Sequence, residues 1–587
     1  MHNFQVFFLN CNTHRLLVTL YSNPNSSSGQ WVLHFPAFAD EMNKSRQLVS
    51  ECSRRIAESG STVLVCDLYG TGDSEGDFSG ATWEIWLSNM RCLVRWIIDQ
   101  GGESIAFWGL RSGCLLAVDL FQSLLPQERK RINHLLFWQP LLQGKKYLSQ
   151  FLRLRVAASL YSHKKQQVSD LINLLYQGKE IEVAGYTLNP DLFKQLESIK
   201  LEDYLPDERV SVSWIEIAAR NDSGLLASSQ AIVEHWKNNR VTVLAQSVPG
   251  MSFWNALEPE LLPQLIDATM ESMQSVFACQ VERQNQFSNV PPHSHYQEDA
   301  ILEKPVIFEC QGEKLAGVIH SSSERASRGV LVVVGGPQYR VGSHRQFVLL
   351  ARGLAEQNIP VFRFDYRGMG DSSGARRGFD RISDDIRAAI DCFQAKHPEI
   401  NEIVIWGLCD AATAASSYAD SDQRVKGLVL LNPWVRSDQG EAQVYLKKYY
   451  IERLLSQSFW LKALKGGLDL SASFTSLFNI IRKLKKTKDT QPIAHGNVLD
   501  KASMRSLSQQ MEEGLTGFEG NVLIVLSGKD LVAAEFQQSV NSSKQFTELL
   551  NSQRFIIHSV LHADHTFSRE IWRNEVSETC REWIRSW

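Results

Sequence analysis

The sequence predicts an α/β fold used twice, in tandem, each copy a mostly parallel sheet flanked by helices and interrupted by a helical cap insertion. Three observations predict it. The first is a long internal repeat: Cys66-Asp67-Leu68-Tyr69-Gly70-Thr71-Gly72-Asp73-Ser74-Glu75-Gly76 matches Phe364-Asp365-Tyr366-Arg367-Gly368-Met369-Gly370-Asp371-Ser372-Ser373-Gly374, and Trp108-Gly109-Leu110 matches Trp406-Gly407-Leu408. The offset is 298 in both places (365 − 67 and 406 − 108), and Arg46-Gln47 matches Arg345-Gln346 at 299, so only small insertions separate the copies. The second is an alternation of continuous Val/Leu/Ile runs with amphipathic patterns, the mark of strands buried on both faces and covered by helices. The third is the passage from an apolar run at 403–405 through a small-residue turn centred on Cys409 into an Ala-rich helical stretch.

In the first copy, strand-like runs lie at 4–9, 16–21, 31–35, 62–66, 105–108, 135–138, 212–217 and 241–245, with helical patterns near 43–58 and 83–99. The interval 141–208 is too long for a loop and reads as a cap. Residues 281–303 carry Gln, Asn, Ser, His and Pro291-Pro292 with few apolar side chains, the composition of an exposed linker. Domains are therefore expected at 1–280 and 304–587. The second copy repeats its strands at 306–309, 315–319, 330–334, 361–364, 403–406, 427–431, 522–526 and 555–560, with a larger cap at about 435–519.

Composition is that of a globular protein: 587 residues with 43% hydrophobic, 21% charged and a net charge of −4, which excludes a nucleic-acid surface built on excess basic charge. No secretory leader and no apolar run near the ~20 residues of a membrane span is apparent. Ten scattered cysteines without a C-x-x-C pair argue for a reducing cytoplasm and against a zinc ribbon. His558 and His562 lie near His565, but no carboxylate or thiol at ligand spacing joins them, so no metal site is expected, and no cofactor is implied.

Gly407-Leu408-Cys409-Asp410-Ala411 has the form of a nucleophile elbow, in which the central side chain projects above the sheet from a strained turn and small neighbours let helix and strand pack closely. A thiol there suits covalent acyl transfer once a nearby His takes its proton. The strand at 521–526 runs into Ser527-Gly528-Lys529-Asp530, and the run at 555–560 is followed by Ala563-Asp564-His565. Nucleophile Cys409, acid Asp530 and base His565 thus follow in the chain order of an α/β-hydrolase, each past the end of a strand. Val334-Gly335-Gly336-Pro337 supplies an oxyanion turn, with the Gly336 and Asp410 amides as donors.

The first copy lacks these parts. Arg111 stands at the position of Cys409, Gly250-Met251-Ser252-Phe253 replaces Asp564-His565-Thr566-Phe567, and His34-Phe35-Pro36 puts a proline without an amide hydrogen in the oxyanion turn. The first domain therefore reads as a pseudo-hydrolase. Arg111, with Asp222 in the acid position, is expected either to fork onto an anionic ligand or to plug a redundant cavity.

Two further resemblances rest on particular motifs. Val333-Val334-Gly335-Gly336-Pro337-Gln338-Tyr339-Arg340-Val341-Gly342-Ser343-His344-Arg345, the stretch from Phe364 to Ser372 and Trp406-Gly407-Leu408-Cys409-Asp410-Ala411 resemble exosortase A system-associated hydrolase 1. His34-Phe35-Pro36, Glu41-Met42-Asn43-Lys44-Ser45-Arg46, Trp83-Glu84-Ile85-Trp86-Leu87 and Trp108-Gly109-Leu110-Arg111 resemble exosortase A system-associated hydrolase 2. The resemblance implies a fusion of two proteins that work together in exopolysaccharide production and the sorting of PEP-CTERM proteins. The fusion implies that the two act together through contact between the domains, while the acyl-transfer chemistry of the elbow calls for a small-molecule or lipid-linked acyl substrate. Lys447-Lys448-Tyr449-Tyr450 and the basic run Arg482 to Lys488, with Phe459 and Trp460 between, suit peripheral contact with an anionic membrane or a phosphorylated lipid carrier, or equally a solvated helical face.

Overall fold

The structure is a computed structural model that describes residues 3–23, 29–159, 166–218, 224–256, 261–277, 296–298, 301–322, 325–336, 338–435 and 507–587. Its first sheet has eight strands in the order Asn3–Cys11, His14–Ser22, Thr62–Cys66, Gln30–Phe35, Ser104–Leu110, Ile132–Trp138, Ser211–Ala218 and Val243–Pro249. The opening hairpin and its junction with Thr62–Cys66 are antiparallel, and all later pairings are parallel. The second sheet repeats this with Ile301–Cys310, Glu313–Ser321, Val361–Phe364, Arg328–Val333, Glu402–Leu408, Val425–Leu431, Asn521–Ser527 and Phe555–Val560, and adds the short edge strand Tyr296–Glu298. Every run read as a strand from sequence is one. The central strands are buried on both faces, with Leu33, Leu64, Phe107, Val332 and Ile405 at 0% exposure, which is why their sequences are continuously apolar instead of alternating.

Two boundaries differ from expectation. The last strand of the first sheet starts at Val243 and not at 241, and the strand Ile301–Cys310 begins inside the stretch read as linker. The polar Glu303 hid that start. Its side chain is buried within the strand, where Arg15 and Arg352 lie 2.5 and 2.7 Å from its oxygens. The first cap consists of the helices Gly144–Ser159, Val168–Tyr176 and Pro190–Ser198 with a hairpin Ile181–Val183/Tyr186–Leu188. Of the second cap, the helix Leu507–Gly517 is described. The basic and aromatic segment at 447–488 lies outside the described residues.

The repeat extends to backbone detail. Gly70 and Gly368 both have φ near 74°, and Gly72 and Gly370 have 51° and 52°, left-handed values that favour glycine. A Cβ on Gly72 would meet Asp67 Oδ2 at 2.1 Å, and one on Gly370 would meet Asp365 Oδ2 at 2.3 Å. In each copy the serine two residues after that glycine donates to the carbonyl of the same aspartate at 2.6 Å.

These loops meet one another across the molecule. Arg54 donates to the carbonyls of Asp371 and Ser372 at 2.9 and 2.7 Å, and Arg352, its counterpart at offset 298, donates to those of Asp73 and Ser74 at 3.4 and 3.3 Å. Each half thus offers the other the same contact, as in an isologous dimer. Between them lies a charge cluster at 0–3% side-chain exposure: Arg46 joins Asp67 (2.8 Å) to Asp371 (2.7 Å), Arg340 joins Asp365 (2.6 Å) to Asp371 (2.8 Å) and Asp73 (2.9 Å), and Arg363 reaches Asp73 at 2.7 Å.

Burial disfavours the charge on Asp371, yet Arg46 and Arg340 outweigh it and hold its carboxyl well below the ordinary 3.8. Asp371 therefore stabilises the fold above that ordinary value, and the contribution is lost as pH falls through the lower, folded one. Asp371→Asn is expected to destabilise the protein by roughly 3 kcal/mol at neutral pH, because it takes from two buried guanidinium groups a carboxylate that they share and leaves the cluster with excess positive charge. Urea unfolding of the two proteins at pH 7 measures it, and a difference within error would show that Asp371 carries no such weight.

Candidate functional site

The strand Glu402–Leu408 ends at Cys409, whose φ and ψ of 62° and −121° throw the side chain above the sheet before the helix Asp410–Tyr418 begins. Gly407 is required on the strand side, since a Cβ there would stand 2.7 Å from the Ala411 backbone. Ala411 itself is fully buried, and a Cβ on Gly335 would meet the Asp410 carboxylate, so Gly335 lets that side chain in. Cys409 is partly exposed, whereas Cys11, Cys52, Cys66, Cys114, Cys310 and Cys580 are buried.

His565 follows the strand Phe555–Val560 and turns to Asp530, with Nδ1 2.8 Å from Oδ2. Asp530 also caps the helix Leu531–Ser542 by accepting from the Val532 and Ala533 amides at 3.3 and 3.2 Å, so a helix N-terminus fixes the carboxylate that orients the imidazole. The structure brings together Cys409, His565 and Asp530. Burial acts against a charged His565, but hydrogen bonds and charges from Asp530 and Cys409 outweigh it and push the imidazole up to about 10. Such a histidine stays protonated at neutral pH.

Asn432, which sequence reasoning missed, steadies the base. Its amide nitrogen donates to the His565 carbonyl at 2.9 Å and to Ser527 Oγ at 2.8 Å, while its oxygen accepts from the Ser527 amide at 2.8 Å. Its signal was available: it is the polar residue just past the strand Val425–Leu431, with a left-handed φ of 41°.

At the oxyanion turn, Gly336 has φ 65° and its amide points at the elbow. It donates to the Asp410 carboxylate at 3.1 Å, and the Ala411 amide donates to the same carboxylate at 3.0 Å. The Asp410 side chain therefore sits on the amide that the sequence assigns to a substrate oxyanion. Burial raises its pKa, and the bonds from Gly336 and Ala411 work the other way. Pro337 and Asp222 lie outside the described residues.

In the first half Arg111 has the same strained geometry, φ 55° and ψ −114°. Its guanidinium is not an open fork. It lies 3.2 Å from Glu41 Oε1 and 4.8 Å over the Trp254 ring, with side-chain exposures of 13% and 12% for the pair. Glu41, another residue the sequence reading did not assign, is raised in pKa by burial, which Arg111 partly offsets. Met251, at the position of His565, is exposed. Two cavities beside this turn, lined by Pro36, Ala37, Ser112 and Leu116 or by His34, Pro36, Ala37 and Leu110, are each about 10 Å³, room for one water. Among the described residues no group of three His, Cys, Asp or Glu is placed to hold a metal ion. Nor does any described helix have the length and apolarity to cross a membrane.

Strand order, parallel core, elbow and the His565 and Asp530 loops together decide the fold of both copies. Each has the α/β-hydrolase fold. Residues 325–571 match the family model of the S33 serine aminopeptidases, and Cys409 stands at the elbow within that match. Among solved structures, the chain is similar to an esterase of Pyrococcus furiosus (13% identity, 49% of this chain and 91% of that one, TM-score 0.33). It is also similar to Est1E of Butyrivibrio proteoclasticus, solved with ferulic acid bound (18%, 46% and 99%, TM-score 0.34), and to a cold-adapted esterase from an Arctic intertidal metagenomic library (15%, 50% and 96%, TM-score 0.30). No curated protein matches the chain.

Removing Arg111 leaves the buried Glu41 carboxylate without its partner. Arg111→Ala is expected to cost roughly 3 kcal/mol in unfolding free energy, and Arg111→Ala/Glu41→Gln to recover part of it. A thermal melt of the single variant identical to wild type would show that Arg111 does not plug the pocket.

Proposed function

We propose that the second half is a cysteine-dependent acyl hydrolase or acyltransferase and that the first half has no chemistry of its own. The observation that carries this reading is the 2.8 Å bond between His565 Nδ1 and Asp530 Oδ2, with Cys409 on the strained elbow beside that imidazole. Cys409 Sγ attacks the carbonyl carbon of an ester or thioester, and the electron pair of the carbonyl moves onto its oxygen. When that pair returns, the carbon–oxygen or carbon–sulfur bond to the leaving group breaks, and the His565 imidazolium gives the leaving group its proton. The neutral imidazole then takes a proton from water or an acceptor alcohol, which attacks the thioester and releases the acyl product with Cys409 restored. Asp530 holds the Nδ1 proton throughout, and the Gly336 and Asp410 amides serve the oxyanion once the Asp410 carboxylate has yielded its place.

The acyl chemistry of the site calls for a small-molecule or lipid-linked acyl substrate, and the resemblance to the two exosortase-associated hydrolases implies a setting in exopolysaccharide production and PEP-CTERM protein sorting, in the cytoplasm. Arg111 in place of a nucleophile supports the assignment of silence to the first half, as does its engagement by Glu41.

Dilute iodoacetamide at neutral pH is expected to label Cys409 ahead of the buried thiols, and His565→Ala to slow that labelling. Mass-spectrometric mapping of the alkylated peptides checks it. Labelling of Cys409 at one rate in both proteins would remove the pairing of sulfur and imidazole. A panel of acyl esters and thioesters assayed with wild type and Cys409→Ala is expected to show turnover in the former and a loss on the order of 10³-fold or more in the latter. Equal activity in the two would sink the mechanism.

A further inference from the structure

The cap of the silent half ends against the catalytic loops of the active one. Its hairpin Ile181–Val183/Tyr186–Leu188 closes through Ala184 and Gly185, with φ of 48° and 85°, a two-residue turn of type I′. Ile181, Val183, Tyr186 and Leu188 are buried in the cap, so by strand alternation Glu182 faces away from it. What Glu182 meets is the segment just past His565. Its Oε1 accepts from the Glu570 amide at 2.8 Å and lies 3.6 Å from Arg573 Nη1.

Glu570 is the first residue of the helix Glu570–Arg585, and the Arg569 side chain before it makes no cap bond. A carboxylate from the other half therefore caps this helix, where the backbone amides and the helix dipole favour negative charge. From Arg573 the contacts run back to the base. Arg573 Nη1 donates to the Ser568 carbonyl at 2.7 Å, and the Ser568 amide donates to Asp564 Oδ1 at 2.9 Å. The Ser568 hydroxyl also donates to Asp564, and Asp564 immediately precedes His565. Phe567, inside this turn, has a left-handed φ of 51°, a conformation that persists only where surrounding contacts hold it.

The hairpin tip reaches a second loop. A Cβ on Gly185 would lie 2.3 Å from the His344 ring, so the tip packs directly on the turn Ser343–Arg345 that follows the oxyanion strand. One hairpin of the first half thus touches both loops that flank the Cys409 elbow.

We propose that Glu182 is a positioning residue for His565, and that the first half serves as a built-in activating subunit of the second. The proposal rests on the reading of Cys409 and His565 as a catalytic pair. In the full chain, Glu182→Ala is expected to lower kcat on an ester that wild type turns over by on the order of 10-fold or more, with KM little changed. It should slow iodoacetamide labelling of Cys409 in proportion, and Glu182→Asp should restore part of both. Because Glu182 acts through Arg573, Glu182→Ala/Arg573→Met should be no slower than Arg573→Met alone. Multiplying losses in the double variant would break the relay.

Wild-type turnover and labelling in Glu182→Ala would overturn the proposal, and so would a loss that Glu182→Asp does not relieve. Failure of the underlying mechanism looks different: turnover is then equal in wild type and Cys409→Ala. Labelling still decides in that case, since Glu182→Ala must slow it as His565→Ala does. A labelling rate unchanged by Glu182→Ala but slowed by His565→Ala sinks this inference alone.

Discussion

The structure depends on a buried exchange of charge between its halves. Asp371 belongs to the loop that closes the second half's own sheet, yet it takes Arg46 from the first half as well as Arg340 from its own. Asp73 does the reverse, taking Arg340 and Arg363 from the second half. A half alone would lose the crossing pairs: Arg46 would keep Asp67 and Arg340 would keep Asp365 and Asp371, but Asp73 would lose both its arginines and Arg363 its carboxylate. Dehydrating such ions costs several kcal/mol each, repaid only when all the partners are present. The halves are therefore parts of one folding unit more than two beads on a linker.

That dependence explains how the first half, proposed here to have no chemistry of its own, is held in place. The first half keeps the elbow at φ 55° with Arg111 on it, although no nucleophile needs the strain. The same turn places Arg111 where Glu41 and Trp254 can neutralise and cover it, so the pocket that would have received a substrate is filled from within. A closed pocket suits a domain that contributes surfaces. Its two contributions, the charged interface and the hairpin carrying Glu182, both point toward the second half.

Much of this was legible in the sequence. Buried parallel strands need continuous apolar runs, so their positions could be read residue by residue, and the 298-residue offset disclosed the tandem architecture. Cys409, His565 and Asp530 were legible because each falls just past a strand, where an α/β sheet presents its functional groups. Glu303 was not, since a charged residue looks like linker until Arg15 and Arg352 are brought to it from 288 and 49 residues away. Glu41 and Glu182 were hidden for the same reason: their partners Arg111 and Glu570 lie 70 and 388 residues off, and no local pattern records a contact of that range. Asn432 was missed for a different cause, as its amide bonds to backbone and hydroxyl groups and belongs to no triad motif.

Asp410 joins the fold to the proposed chemistry. An elbow needs a small or polar residue after the nucleophile, and that residue's amide starts a helix whose free N–H groups favour an anion. The group held there is the residue's own carboxylate, and the Gly336 amide completes its cradle at 3.1 Å. The cradle is therefore shaped for a negatively charged oxygen before any substrate arrives, which is the preorganisation that oxyanion stabilisation demands. It also sets a condition on the substrate. A carbonyl oxygen reaches Gly336 only by displacing a carboxylate already bonded there, and a neutral ground-state carbonyl is the weaker acceptor of the two. Under the proposed mechanism, the full charge that develops on that oxygen as Cys409 attacks would compete on more even terms, so the contact with Gly336 would strengthen most in the transition state and lower the barrier instead of merely tightening binding.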